Sequence, residues 1–376
     1  MSKKVLLLIG VFVAVTLLLF VVRYCFSLEQ KNKQQKVQDS IQKNIVLPSL
    51  EAMIGQNLIV GIPDKILEVD TKNFLKEVRP SGIILYYRNY ETTDQLKKLI
   101  ADLQQVANDT TGYSYFIMID EEPGGATRLN LFKNVFASGV PEWNRIENDI
   151  KKMSSIGINV DLAPLADFPF NEDSFIKQRI PAHNTKALVE FNKKFITLLQ
   201  QNGISATLKH FPGMGVFVDD PHIRLPHTSD DQKIIYESTR LFKSGIDDGV
   251  NFVMTGHGVY DAIDPDIPAT LSKKITTDML RNELGFKGLV ITDDLSDMPF
   301  IIGKNIDRTE ATIGALKAGH NLVMFSHTPK KTKEIFEKLF QRMQNDQELK
   351  LLIEGNYRKI VLFKQKHVLT FTQKQE

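Results

Sequence analysis

The stretch LVITDDLSDM, Leu289 to Met298, runs a four-residue strand pattern straight into two adjacent acids, Asp293 and Asp294, just after the helix-and-turn segment MLRNELGFKG. Carboxylates at the mouth of a buried strand are costly to place, so the pair points to chemistry. The plainer alternative is a helix N-cap, since Asp commonly caps the helix that follows a strand. The choice between them depends on whether the same event recurs along the chain.

The apolar run is one of eight. Apolar, β-branched-rich runs stand at 57–62, 82–86, 115–119, 158–163, 205–211, 251–257, 288–294 and 321–326. Between them lie amphipathic stretches such as LVEFNKKFITLLQQNG, TDMLRNELGF and EATIGALKAG, several closing on Gly as helices prefer to. Strands alternating with helices imply a parallel sheet, and eight repeats in about 300 residues fit a closed (β/α)8 TIM-type barrel better than an open doubly wound sheet. No Gly-rich phosphate fingerprint follows the first run, which argues against a dinucleotide-binding domain.

Such a barrel carries its active site at the C-terminal ends of its strands. Asp120 ends the third run, Asp161 lies within the fourth, Lys209 and His210 close the fifth, His257 ends the sixth, and Asp293 with Asp294 ends the seventh. Any one of these could be a satisfied structural group. Their convergence on one rim is harder to explain as packing.

The segments KHFPGMG (209–215), Asp220-Pro221-His222, IDEEPGG (119–125) and LVITDDLS together resemble glycoside hydrolase family 3, and more narrowly its single-domain β-N-acetylglucosaminidase branch. The resemblance runs from about residue 50 to about 365. It implies a retaining hydrolase that releases terminal β-linked N-acetylglucosamine, with peptidoglycan-derived fragments as the implied source and no cofactor. It also implies residue roles: Asp293 as nucleophile, His222 as acid/base, and Asp220 holding the imidazole tautomer. Asp294 is read as a helix cap or loop-orienting neighbour. The sugar contacts implied are Asp120, Arg128, Lys209 and His210, with Arg179 in IKQRIPAHN filling the place of a further Arg. Three positions depart from the family's wording: Met214 replaces a usual His, Pro221 a small hydroxyl residue, and Pro123 displaces the Gly pair near Asp120. They bear on rate and substrate range more than on reaction type.

The amino terminus raises a separate expectation. Lys3 and Lys4 precede an uncharged apolar run at 5–22 that ends at Arg23, which just meets the length of a membrane span. The expected organisation is a short tail (1–4), a transmembrane anchor (5–22), a polar Gln- and Lys-rich linker (23–48) and the catalytic barrel (49–376). The anchor would make the membrane a partner and put the barrel on the extracytoplasmic side, although Lys31, Lys33 and Lys36 weaken that orientation. The alternative is export after signal-peptide cleavage.

Composition excludes other classes. The chain is 42% hydrophobic with a formal net charge of +2, which gives no electrostatic case for nucleic acid. A single Cys excludes an internal disulfide framework and a thiolate-rich metal site, and the scattered His residues have no ligand spacing, so no metal is expected. The carbohydrate is the expected partner. Two alternatives remain: a β-glucosidase-like member of altered specificity, and a non-catalytic wall-sugar-binding barrel. Retention of Asp293, Asp220 and His222 argues against the latter.

Overall fold

The computed structural model describes residues 20, 23–24, 45–136, 139–296, 306–327 and 329–368. Contacts divide the chain into residues 1–47 and 48–376, and the second unit holds the barrel. Its eight parallel strands are β1 (Leu58–Gly61), β2 (Gly82–Leu85), β3 (Phe116–Ile119), β4 (Val160–Asp161), β5 (Ser205–Phe211), β6 (Phe252–Thr255), β7 (Leu289–Asp294) and β8 (Leu322–Phe325). Each pairs with its sequence neighbours, and β1 closes on β8 through Leu58 beside Val323. The (β/α)8 barrel expected from the sequence is therefore the fold.

The helices between strands start and stop on local chemistry. Thr92 and Asn184 cap Thr93–Thr111 and Thr185–Gln201, each side-chain oxygen accepting a backbone N–H three residues on. Gly112 and Gly157 end the helices before β3 and β4 in the left-handed region, where a Cβ would be strained. The connection before β7 is a ten-residue π-helix, Lys274–Glu283.

Inward-facing residues of the strands fill the barrel. Phe116 of β3 meets Phe252 of β6 edge to face at 5.5 Å, and Phe363 from the terminal helix Gln347–His367 packs against both. Met254 and Met324 form the top of this core and the floor of the cavity above it. The apolar interior therefore sets the depth at which polar groups can stand.

One expectation is corrected here. Crossing a bilayer takes about 20 consecutive apolar residues, and among the described residues no helix is long and apolar enough to do so. Thr93–Thr111 and Gln347–His367 have the length, but both carry charged residues along it. Of the run at 5–22 only Phe20 is among the described residues. The transmembrane helix is not retained, nor are the membrane as partner and the single-pass extracytoplasmic placement that depended on it.

Candidate active site

A cavity of about 720 Å³ opens over Met254 and Met324 at the C-terminal ends of the strands. Asp120, Arg128, Arg179, Lys209, His210, His222 and Asp293 all line it. Asp220 stands behind His222 rather than on the wall, its Oδ1 2.7 Å from His222 Nδ1. The structure thus gathers around one space the eight residues to which the family resemblance gives catalytic or sugar-binding roles.

The two acids that end β7 have different surroundings. Asp294 Oδ1 accepts N–H groups from Ser296 at 2.9 Å and Ser326 at 3.0 Å, and its Oδ2 accepts the Ser326 hydroxyl. It ties the end of β7 to the end of β8. Asp293, by contrast, accepts one hydrogen bond among the described residues, from Asp294 N–H at 2.8 Å, and stays 17% exposed toward the cavity. Burial alone would push the Asp293 carboxyl up, but the nearby His210, His257 and His222 outweigh it and hold the group below its ordinary value. It is an accessible carboxylate kept ionised.

The opposite wall is an ion network. Lys209, 2% exposed at the end of β5, reaches Asp120 Oδ1 at 2.8 Å and Glu122 Oε1 at 2.6 Å. Arg179 meets Glu122 with two nitrogens, at 2.7 and 3.1 Å, and Arg128 meets Asp120 at 3.1 Å. Burial would raise the Glu122 carboxyl, yet Lys209 and Arg179 bring it far below the usual carboxylate range. Lys209 is pushed down by burial and then, more strongly, up by Asp120 and Glu122, so it stays charged. Buried charges survive here because each has a partner.

The loop that carries this wall is organised by Glu121. Its wholly buried carboxylate accepts the N–H groups of Arg128, Leu129 and Leu131 at 2.8 to 2.9 Å. Asp161, another polar residue at the rim, is also wholly buried and accepts Glu121 N–H at 3.0 Å. Gly125 is needed at the bend, since a Cβ there would stand 2.0 Å from Glu122 Oε2. Pro123 accordingly sits in an ordered turn that brings Glu122 and Arg128 to the same cavity.

Further wall residues escaped the motif reading. Tyr86, just beyond β2, has the guanidinium groups of Arg88 at 4.6 Å and Arg128 at 4.9 Å over its ring, with the His327 ring at 5.1 Å. Glu122, Tyr86 and His327 were missed, although each follows a strand end, and that position was the signal that could have found them. Met214, where the family wording has His, is buried, and a Cβ on Gly256 would come within 2.6 Å of its Sδ. Among the described residues no cluster of His, Cys, Asp and Glu is arranged to hold a metal ion.

His222 has a different setting. Its side chain is 65% exposed, on the loop that leaves β5, and Asp220 also receives its backbone N–H at 2.9 Å. The neighbouring Asp219 pairs with Arg224.

The sequence matches the glycosyl hydrolase family 3 N-terminal domain over residues 49–361. It is 30% identical over 278 residues to the β-hexosaminidase of Nitrosomonas eutropha, spanning 69% of this chain and 77% of that one. A β-hexosaminidase of Methylobacillus flagellatus is 28% identical, with 69% and 76% covered. Among solved structures, the family 3 β-N-acetylglucosaminidase of Paenibacillus sp. str. FPU-7 superposes with a TM-score of 0.77 at 26% identity, over 85% of this chain and 63% of that one. The β-N-acetylhexosaminidase of Beutenbergia cavernae gives 0.76 at 25% identity, over 85% and 100%. With a barrel whose carboxylates, lysine and histidines meet above the strand ends, the chain belongs to glycosyl hydrolase family 3, in its β-N-acetylhexosaminidase branch, and is a glycoside hydrolase.

Proposed function

We propose that the chain is a retaining β-N-acetylhexosaminidase that removes terminal β-linked N-acetylglucosamine from peptidoglycan-derived fragments. The observation that carries this reading is the contrast at the end of β7: Asp294 is engaged with Ser296 and Ser326, while Asp293 opens into a cavity that His222 also lines. Asp293 is the nucleophile. It attacks the anomeric carbon, the bond to the leaving oxygen breaks, and a glycosyl ester forms.

His222 supplies the proton for the leaving oxygen. Asp220 accepts from Nδ1, which leaves Nε2 as the nitrogen that donates and, in the second step, takes a proton from the attacking water. Water then displaces Asp293 and the sugar leaves with its β configuration kept. Lys209, Arg179 and Arg128, anchored by Asp120 and Glu122, face the cavity as charged donors for sugar hydroxyls, and Asp120 and His210 join them as binding groups.

The test is hydrolysis of nitrophenyl β-GlcNAc and nitrophenyl β-glucoside by the purified chain, with the first-formed anomer followed by NMR. Turnover of the GlcNAc substrate with β product appearing first is expected. Preference for the glucoside would favour the altered-specificity reading, and α product appearing first would refute double displacement.

A further inference from the structure

Asp167 stands on the loop after β4, is wholly buried and does not line the cavity. It lies outside every motif that marked the site. Leu165 bridges to Lys209 and Ala166 N–H donates to Lys209 O at 2.8 Å, so this loop rides along the end of β5 and delivers Asp167 beside His210. Oδ1 accepts Met214 N–H at 2.7 Å and His210 N–H at 3.1 Å, and Oδ2 faces His210 Nδ1 at 2.8 Å.

A carboxylate in this position accepts, so Nδ1 is the nitrogen that carries the proton. The other ring nitrogen, Nε2, stands 4.0 Å from Asp293 Oδ2. The imidazole is thus held between a buried carboxylate and the carboxylate that opens into the cavity.

We propose that Asp167 is a positioning residue for the glycosidase reaction: by accepting from Nδ1 of His210 it sets the ring with Nε2 toward Asp293, so that the protonated imidazole presents its second N–H and its positive charge to that carboxylate. The proposal rests on the reading of Asp293 as nucleophile. The groups that face Asp293 are His210 from β5, His257 beyond β6, His222 from the loop after β5, and Asp294 on its own strand. The Asp294 carboxylate is turned to Ser326, and His257 reaches Thr270 and the Asp294 carbonyl, so His210 is the ring backed by Asp167. An imidazole that loses its carboxylate partner carries less positive charge at a given pH, and a nearby acid then ionises less readily.

Asp167→Asn separates positioning from structure. The amide keeps an acceptor for Met214 N–H but sets an NH2 group against His210 Nδ1, so that nitrogen no longer holds a proton and the ring is held neutral. The experiment measures 15N shifts of His210 in the full chain, with the pH profile of kcat/KM on an aryl β-GlcNAc glycoside and the site labelled by a fluorinated GlcNAc glycosyl fluoride. In the wild type the proton is expected on Nδ1. In Asp167→Asn Nδ1 should be unprotonated and the ring's positive charge lost, kcat should fall about 10- to 100-fold, KM should change far less, and the acid limb should move to higher pH. A wild-type ring with no proton on Nδ1 overturns the proposal even if the variant fails to fold. A variant ring without its Nδ1 proton, with Asp293 still labelled and the acid limb unmoved, overturns it alone, whereas labelling away from Asp293 overturns the nucleophile reading as well.

Discussion

The charged wall of the cavity and the loop that carries His222 are built on opposite terms. On the wall, Lys209, Glu122, Asp120, Arg128 and Arg179 fix one another through charge-assisted bonds, and Glu121 fixes the loop that carries Arg128. His222 is mostly exposed, and Asp220 is its partner from two residues away. In the proposed reaction the two regions take different parts. Groups that meet the sugar ring are set before it arrives, which costs no reorganisation during the reaction. The group that meets the leaving oxygen sits where aglycones of varied shape can approach.

The largest effect should come from the end of β7. Asp293→Ala removes the proposed nucleophile, and turnover should drop by about 10⁴-fold or more, with an unchanged circular dichroism spectrum. A variant of Asp294 should behave otherwise: Asp294→Ala loosens the tie to Ser326, so it should lower the melting temperature along with activity.

His222→Ala tests the loop. Substrates with poor leaving groups should slow by about 10²- to 10⁴-fold, while activated aryl glycosides, which depart without protonation, should change much less. Asp220→Ala should act in the same direction more mildly, because it orients the ring and does not carry the proton. Equal losses on both substrate types would assign the loop a binding role and erase the contrast.

The eight strands were legible because each apolar run is bounded by polar or Gly-rich turns, and every observed strand falls inside its expected range. Only β4 is much shorter than its run: after Asp161 the chain turns along β5, and Leu162 and Asn159 continue the bonding to β3 outside the regular strand. The site was legible where a motif carried it. Glu122 was quoted within IDEEPGG yet left unassigned, because sequence does not tell which of two adjacent acids turns inward. Geometry separates them: Glu121 accepts the N–H groups of its own loop, and Glu122 faces Lys209. Asp167 was invisible for a similar reason, since its partner His210 lies 43 residues away. The membrane anchor was read from length and hydropathy of a run that, but for Phe20, falls outside the described residues.

Smaller effects concern stability. Glu122→Leu should cost about 3 kcal/mol, because it leaves Arg179 without its carboxylate and Lys209 with Asp120 alone. The sign with pH follows from the depressed Glu122 value: an unfolded carboxylate titrates near 4.5, so the contribution is whole above that pH and is lost as pH falls toward the folded value. Urea unfolding of wild type and variant should therefore converge in acid. The smallest effect belongs to the loop, where Arg224→Ala breaks an exposed pair with Asp219 and should leave the melting temperature unchanged.

In the proposed mechanism Asp293, and not its neighbour, forms the bond to the sugar. Trapping the enzyme with a fluorinated GlcNAc glycosyl fluoride and mapping the labelled peptide by tandem mass spectrometry tests it most directly. One sugar on Asp293, with the label lost in Asp293→Ala, is the expected result; a sugar on Asp294, or on no residue of the β7 segment, would show that Asp293 is not the nucleophile.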